Sequence, residues 1–432
     1  MTGHDKNKPE SFGPLAGYRV LDLGSTVAGP FCARLLADFG ADVVKVEDVA
    51  GDPIRNLGET VEGKSLYAAT ILRNKRIISI NLRSREGQDL VRQLVPHFDV
   101  IVENFRPGML EKWGLGYDDL RALRPDLIMT RISGFGQTGP MAQRPGYGVI
   151  GEAMSGLREM IGEPDRPPSR VGLPLTDYIT AVYAAFGTAM AIASRQRTGQ
   201  GQCVDAALYE SAFSMMEASV PAFEKTGKLP KRAGSRLPGS APNSLYPTRD
   251  GKYIHIAALA DQVYRRLAKA MGKAELGTDV RFADQATRAR NVDAVDEIVA
   301  AWTSSLDLED IEAKLQAEDV PASRIFTMRD IFDHPHYQSR EMLVEVRDDD
   351  LGTVTLAGVV PKLSGTPGRL RWSGHRNGQD TREILVEFLG FSDGQIDALV
   401  RTGAIACDVA REESPAASAG PPAQEGFIHA KV

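Results

Sequence analysis

The sequence predicts an α/β protein, with an open, mostly parallel sheet in a large domain and a smaller α+β domain after it. Three observations carry that reading. A strand–turn–helix–strand pattern opens the chain, strands and helices keep alternating through residue 136, and the composition changes texture after about residue 225. At 432 residues the chain is longer than one compact core supports.

Residues 1–13 are polar and read as a flexible tail. In "YRVLDLGSTVAGPFCARLLADFGADVVKVED", apolar Val20, Leu21 and Leu23 lead into Gly24. A helical spacing follows over Phe31, Leu35, Leu36 and Phe39, and Gly40 separates it from the strand "DVVKVE". This is a Rossmann-like βαβ unit. "KRIISINL" and "FDVIVENF" are strands flanking the helix "REGQDLVRQLVPH", and "PDLIMTRISGFG" is another strand. Small and aliphatic residues then fill 179–194, while Arg195, Arg197 and Gly199 mark a helix stop. The apolar run from 178 to 194 is just short of a bilayer span and reads as a buried core helix. These elements place the large domain at 14–225.

Residues 226–330 form the smaller domain. Its opening connection is rich in Pro, Gly and Lys/Arg, "SLYPTRDGKYIHIAAL" is a hairpin turning at Asp250 and Gly251, and helical patterns cover 261–271, 286–303 and 308–317. Residues 331–407, with "TVTLAGVVPKLSGTPG" and the helix "TREILVEFLG", return to complete the large domain. Residues 408–432, rich in Ala, Pro, Ser and Glu, read as a disordered tail.

Hydrophobic residues make up 42% and charged residues 25%, the balance of a soluble globular protein. A net charge of -6 implies no general affinity for nucleic acid or anionic membrane. Cys32, Cys203 and Cys407 have no metal-ligand spacing and would leave an odd thiol in any disulfide scheme, so a reducing, cytoplasmic setting and no metal are expected. The N-terminus lacks a signal-peptide apolar region.

Candidate chemistry gathers at few places. The turn from Gly24 to Pro30 can cradle a phosphate at a helix N-terminus, but it lacks the G-x-G-x-x-G spacing of a nicotinamide site, although Glu47 and Asp48 stand where a ribose-binding acid would be. No histidine lies between 98 and 254, and H-E-x-x-H, C-x-x-C and G-x-S-x-G are all missing, which argues against metal and serine-hydrolase chemistry. Asp177 sits alone at the mouth of the apolar helix. An acid there is an ordinary complement to free amides and the helix dipole.

Taken in order, "RVLDLGSTVAGPFCARLLADFGADVVKVE", "NKRIISINL", "VENFRPG", "GPMAQRPGYGVIGEAMSG", "GLPLTDYITAVYAA" and "RTGQGQCVDAALYES" resemble the class III CoA-transferases, the family of formyl-CoA transferase and carnitine CoA-transferase. Weaker likeness continues through "APNSLYPTRDGKYIHIAA", "DVPASRI" and "VPKLSGTPG". The resemblance implies that Asp177 is the catalytic carboxylate, acting through an aspartyl anhydride and an aspartyl-CoA thioester, with an acyl-CoA as co-substrate and no permanently bound cofactor. A helix N-terminus would keep such an acid ionised. The resemblance places CoA at Thr26, Val27, Ala28, Leu72, Lys75, Asn104, Phe105, Lys112 and Arg144, with Lys75 and Lys112 on phosphates and Phe105 near the adenine. It puts Tyr147 near the acyl group. It also implies a homodimer interlocked like linked rings, or a heteromer with a related subunit, the connections 213–240 and 325–350 having the reach for this.

Compared with formyl-CoA transferase, Val27 replaces a glutamine, Gly148 a glutamate, and "GSAPNS" a glycine-rich loop. Backbone amides are then the available oxyanion donors. "SRLPGSAPNSLYPTRDGKY" is more similar to succinyl-CoA-dependent members acting on dicarboxylates. The second carboxylate of such an acceptor needs a cation, and Arg55 and Arg170 are the candidates, Arg55 preferred for its loop position. Alternatives on the same fold are an α-methylacyl-CoA racemase, whose second acid/base is missing at Gly146, Tyr147 and Gly148, and a silent CoA-binding protein. An NAD-dependent oxidoreductase is the reading from another class.

Overall fold

A computed structural model describes residues 12–408. The large unit runs β1 (Arg19–Asp22), α1 (Ala28–Asp38), β2 (Asp42–Glu47), a short hairpin of β3 (Thr60–Val61) and β4 (Lys64–Ser65), then α2 (Leu66–Ile71) and β5 (Lys75–Ile80). It continues with α3 (Arg85–Leu94), β6 (Val100–Glu103), α4 (Met109–Lys112), α5 (Tyr117–Leu123), β7 (Ile128–Ser133), α6 (Gly148–Met154), α7 (Leu175–Thr198), β8 (Cys203–Ala207), α8 (Leu208–Phe213) and α9 (Ser219–Thr226). Six parallel strands order as β5-β2-β1-β6-β7-β8, a doubly wound sheet whose order reverses between β1 and β6.

Alternation within strands builds two cores. Leu21, Val44 and Ile78 face α3, whereas Val20, Val43 and Val100 face α1 and α7. The second core is lined by Ala33, Ala37, Ala181, Ala184 and Ala191, so α1 and α7 approach closely. Gly187 has the same cause: a Cβ there would lie 2.8 Å from Val204. Helix α7 ends at Gly199, in the left-handed conformation with φ 71°, as its sequence predicts. It is not buried all round, however. Val182, Tyr183, Phe186 and Met190 are exposed on its outer face, because one side of the helix covers the sheet and none of the described residues covers these side chains.

The smaller unit gathers a separate core around Tyr246, Ile254, Leu267, Val299 and Ile311. It holds β9 (Asn243–Pro247), β10 (Tyr253–Ala257), α10 (Asp261–Ala270), α11 (Gln285–Arg290), α12 (Val292–Thr303), α13 (Leu308–Ala317) and β11 (Ala322–Arg324). The β9–β10 hairpin turns at Gly251, φ 75°, as expected. The single helix expected over 286–303 is two, broken at Asn291, whose side-chain amide bonds the Arg281 and Thr287 carbonyls.

The chain then returns through α14 (Met328–Asp333), α15 (Pro335–Ser339), the hairpin of β12 (Leu343–Asp348) and β13 (Gly352–Ala357), α16 (Thr381–Leu389), α17 (Asp393–Arg401) and β14 (Ile405–Ala406). The stretches 213–240 and 325–350 are therefore not bare connections, since α9, α14, α15 and β12 lie within them. Ile77 and Ser79 amides donate to Asp380 and Thr381, and β14 joins β5 antiparallel, which closes that sheet edge. Of the two expected tails, 1–11 and 409–432 lie outside the described residues. Phe12 is buried, with Arg371 over its ring at 5.3 Å, and a Cβ on Gly13 would collide with the Phe39 carbonyl.

Candidate active site

The crevice at the order reversal is where α/β sheets bind ligands. The turn following β1 and the residues following β6 meet there. Residue by residue, that turn is tied to three buried charged side chains and the partly buried Asn104. The Gly24 amide donates to Asp22 Oδ1 (2.9 Å), and the Gly24 carbonyl accepts from Lys45 Nζ (2.5 Å). Asn104 takes the Ser25 amide (2.7 Å) and gives its own amide to the Ser25 carbonyl (2.9 Å). The Thr26 amide donates to Asp52 Oδ1 (3.0 Å), with Thr26 held at φ 67°, a conformation L-residues avoid. Val27 then caps α1, and Ala28 begins it.

These contacts revise three expected CoA ligands. Lys75 is fully buried, donating to Asp22 Oδ2 (2.8 Å) and the Pro30 carbonyl (2.6 Å), so its ammonium does not face a phosphate. Burial lowers its pKa, opposed by Asp22. Leu72 is likewise wholly buried. Asn104 spends its side-chain amide on Ser25.

Phe105 is partly buried beside the crevice. It packs edge-on against Trp113 (5.3 Å) and lines a cavity of about 320 Å³ with Ser25, Leu82, Arg83 and Pro53. Lys112 and Arg144 are exposed, and neither has an ion-pair partner among the described residues.

Asp177 is the third residue of α7, half-buried, and does not cap the helix with its side chain. Its Oδ2 rests on Gly148, where a Cβ would be only 1.8 Å away. Burial raises its pKa from 3.8 to about 6, with its own backbone amide and the Arg170 charge pulling the other way. Desolvation outweighs both, so the helix start does not hold this acid at the usual aspartate value, although a pKa of about 6 still leaves it mostly ionised at neutral pH. Tyr147, just before α6, is 75% exposed beside it.

Arg55 is not a free clamp. It forms a bidentate pair with Glu47 (2.7 and 2.8 Å) and donates to the His375 carbonyl (3.0 Å). The same pair engages Glu47, which is 2% exposed, and removes the acid a nicotinamide ribose would need. Arg170 is exposed, near enough for its charge to act on Asp177, and has no ion-pair partner among the described residues.

Sequence reasoning missed several neighbours. The Tyr67 and Tyr178 hydroxyls meet at 2.8 Å, and the Tyr67 pKa is raised by burial, by Tyr178 and by the Asp177 charge. Tyr178 packs edge-on against Phe31 at 4.7 Å, which joins the start of α7 to α1. Its adjacency to Asp177 was the only available signal. Asp52 and Lys45 gave none, since their partners are distant in sequence.

The sequence pattern of CoA-transferase family III matches residues 15–381. The chain is 46% identical over 388 residues to succinyl-CoA–D-citramalate CoA-transferase of Chloroflexus aurantiacus, spanning 89% of this chain and 96% of that protein. It is 42% identical over 391 residues to the succinyl-CoA–L-malate CoA-transferase β subunit of the same organism, again spanning 89% and 96%. A crystal structure of a CAIB/BAIF family protein from Brucella suis superposes with a TM-score of 0.79 at 34% identity, covering 88% of this chain and 100% of that one.

Proposed function

The chain belongs to CoA-transferase family III, and from that premise we propose that it moves CoA from succinyl-CoA to a small dicarboxylic acid, with Asp177 as nucleophile. The observation that supports this most is Asp177 itself: a desolvated carboxylate at a helix start, laid against a bare glycine and within reach of the charge of Arg170, which has no ion-pair partner among the described residues. A pKa of about 6 makes it more basic than an ordinary aspartate, yet about nine-tenths of it is ionised at pH 7.

In the first step an Asp177 oxygen bonds to the thioester carbonyl carbon and the C–S bond breaks, giving a mixed anhydride and CoA thiolate. The thiolate attacks the aspartyl carbonyl and releases the donor carboxylate, leaving an aspartyl-CoA thioester. The acceptor carboxylate then runs both steps in reverse, with no net proton change. Each attack places negative charge on a carbonyl oxygen. The amides of Val27, Ala28 and Gly29 have no acceptor among the described residues, and they supply the hydrogen bonds for it. The Phe105–Trp113 cavity takes the nucleotide end of CoA, with Lys112 and Arg144 as phosphate contacts.

Relatives named for citramalate and malate support a dicarboxylate acceptor. Arg170 is the cation for its distal carboxylate. Arg170→Ala should raise the acceptor KM about tenfold or more while leaving the succinyl-CoA KM nearly unchanged. A mass-spectrometric screen of succinyl-, acetyl- and formyl-CoA against mono- and dicarboxylic acids tests the whole reading. Equal turnover of monocarboxylates, or an unchanged acceptor KM in the variant, refutes the clamp.

Assembly follows from the exposed face of α7. Val182, Phe186 and Met190, with Phe213 and Phe223 nearby in the chain, are 47–60% exposed, more large apolar side chain than a lone chain ordinarily leaves in water. A homodimer covers it in this reading, with interlocking as the family resemblance implies. Light scattering should give twice the 46.9 kDa chain mass, and Phe186→Asp should dissociate or aggregate the protein. A monomeric wild type refutes the homodimer. One relative is named as a β subunit, so co-purification of a second, related chain would identify a heteromer instead.

A further inference from the structure

Five successive backbone polar groups, from the Gly24 amide to the Thr26 amide, are tied to Asp22, Lys45, Asn104 and Asp52. The side chains come from β1, from β2, from the end of β6 and from the loop before Pro53. Three of the four carry charge and are at most 4% exposed, and Lys75, also buried, completes an alternating set of two lysines and two aspartates. The Asp52 amide is itself held by Glu47 (3.2 Å), which Arg55 pairs in turn. An ordinary strand-to-helix turn needs none of this, because its peptide groups bond to one another or to water. Buried ion pairs contribute little net stability, but they resist distortion once formed.

The clamping stops abruptly. Immediately after Thr26, the amides of Val27, Ala28 and Gly29 have no acceptor among the described residues. Thr26 at φ 67° is the hinge between the two regimes, and Asp52 grips its N–H with both oxygens, at 3.0 and 3.3 Å. Lys45 holds Asp52 Oδ2 (3.2 Å) and the Gly24 carbonyl together, so one ammonium ties the turn's entry to its hinge. The Phe31–Tyr178 contact places this helix start against the residue following Asp177.

We infer that Asp52 and Lys45 are positioning residues of the transfer reaction, which fix the Thr26 hinge so that the following amides are held in place for the carbonyl oxygen Asp177 attacks. This rests on the reading of those amides as oxyanion donors. Neither residue touches substrate. Preorganised donors act on the transition state more than on the bound thioester, so loosening them lowers kcat and leaves binding alone.

The test uses the full chain with succinyl-CoA and an acceptor that the wild type uses. In D52N, Oδ1 can still accept from Thr26 and Ile54, but the Lys45 pair is lost. K45M removes the pair from the other side. Expected kcat losses are about fivefold or more in D52N and about thirtyfold or more in K45M, each with the succinyl-CoA KM within about threefold of wild type. Smaller kcat losses in folded protein, or losses matched by an equal rise in KM, overturn the proposal. If K45M does not fold, D52N decides alone. A wild type inactive with every acyl-CoA and acid sinks the transferase reading itself. Hydrogen exchange at 24–29 in D52N then decides the clamp, with faster exchange supporting it and unchanged protection overturning it.

Discussion

Replacing Asp177 by alanine or asparagine is expected to lower CoA exchange by at least about 10³-fold, while CoA binding stays within a few-fold of wild type. The groups known to act on it do not substitute for it: Gly148 lies against it, Arg170 is a cation, and Tyr67 has its pKa raised, so its phenolate is not available at neutral pH. A variant that keeps a tenth of wild-type turnover would remove Asp177 from the nucleophile role. Hydroxylamine added during turnover should modify Asp177 and no other acid. The wild-type pH profile carries the same residue's mark. Because the carboxylate attacks, kcat/KM for succinyl-CoA should fall about tenfold per pH unit below about 6. Stability moves the opposite way. The folded pKa of about 6 lies above the unfolded 3.8, so the folded state binds this proton more tightly. That contribution is fully present below pH 3.8 and is lost as pH rises through 6, a cost of about 3 kcal/mol at neutral pH. Asp177→Asn should therefore melt a few degrees above wild type at pH 7, and the difference should vanish near pH 4. An inactive variant that is no more stable at pH 7 would mean that burial does not raise this pKa.

Gly148→Ala is expected to lower kcat by about 10²-fold with little change in acyl-CoA binding, the usual result of displacing a reacting group by about 1 Å. The effect does not come from the backbone. Gly148 is the first residue of α6, has no positive φ, and alanine is the better helix former. The only atoms a new Cβ meets within 4 Å in its three nearest contacts are those of the Asp177 carboxyl group, at 1.8, 2.8 and 3.4 Å. The carboxylate must rotate away. Far-UV circular dichroism and melting temperature should stay near wild type, and a folded variant with normal kcat would show that Asp177 reacts from another position.

The strand pattern of β1, β2, β5, β6 and β7 was legible because alternation and flanking glycines are local, and so were the start and stop of α7 and the turn at Gly251. Order within the sheet was not, since pairing depends on which strand lies alongside. The two-residue β14, at the far end of the described chain, has no periodicity from which to be read. The site divides along the same line. Asp177 was found from its isolation in an apolar run and from a family likeness. Lys75 was assigned to CoA by the family likeness and Arg55 to the acceptor for its place on a loop, and both turned out to be satisfied internally. Asp22 reaches Lys75 across 53 positions, and Glu47, at the end of β2, accepts from both Nε and Nη2 of Arg55. By itself the sequence determined the α/β class and the helix that carries Asp177, both written in residue type and short-range spacing, while the family likeness singled out Asp177 as the candidate nucleophile. The tertiary structure alone decided which cations and which amides lack a partner among the described residues and how far Asp177 is desolvated. Each of those depends on what else occupies the few ångströms around a group, and folding brings those neighbours in from distant parts of the chain.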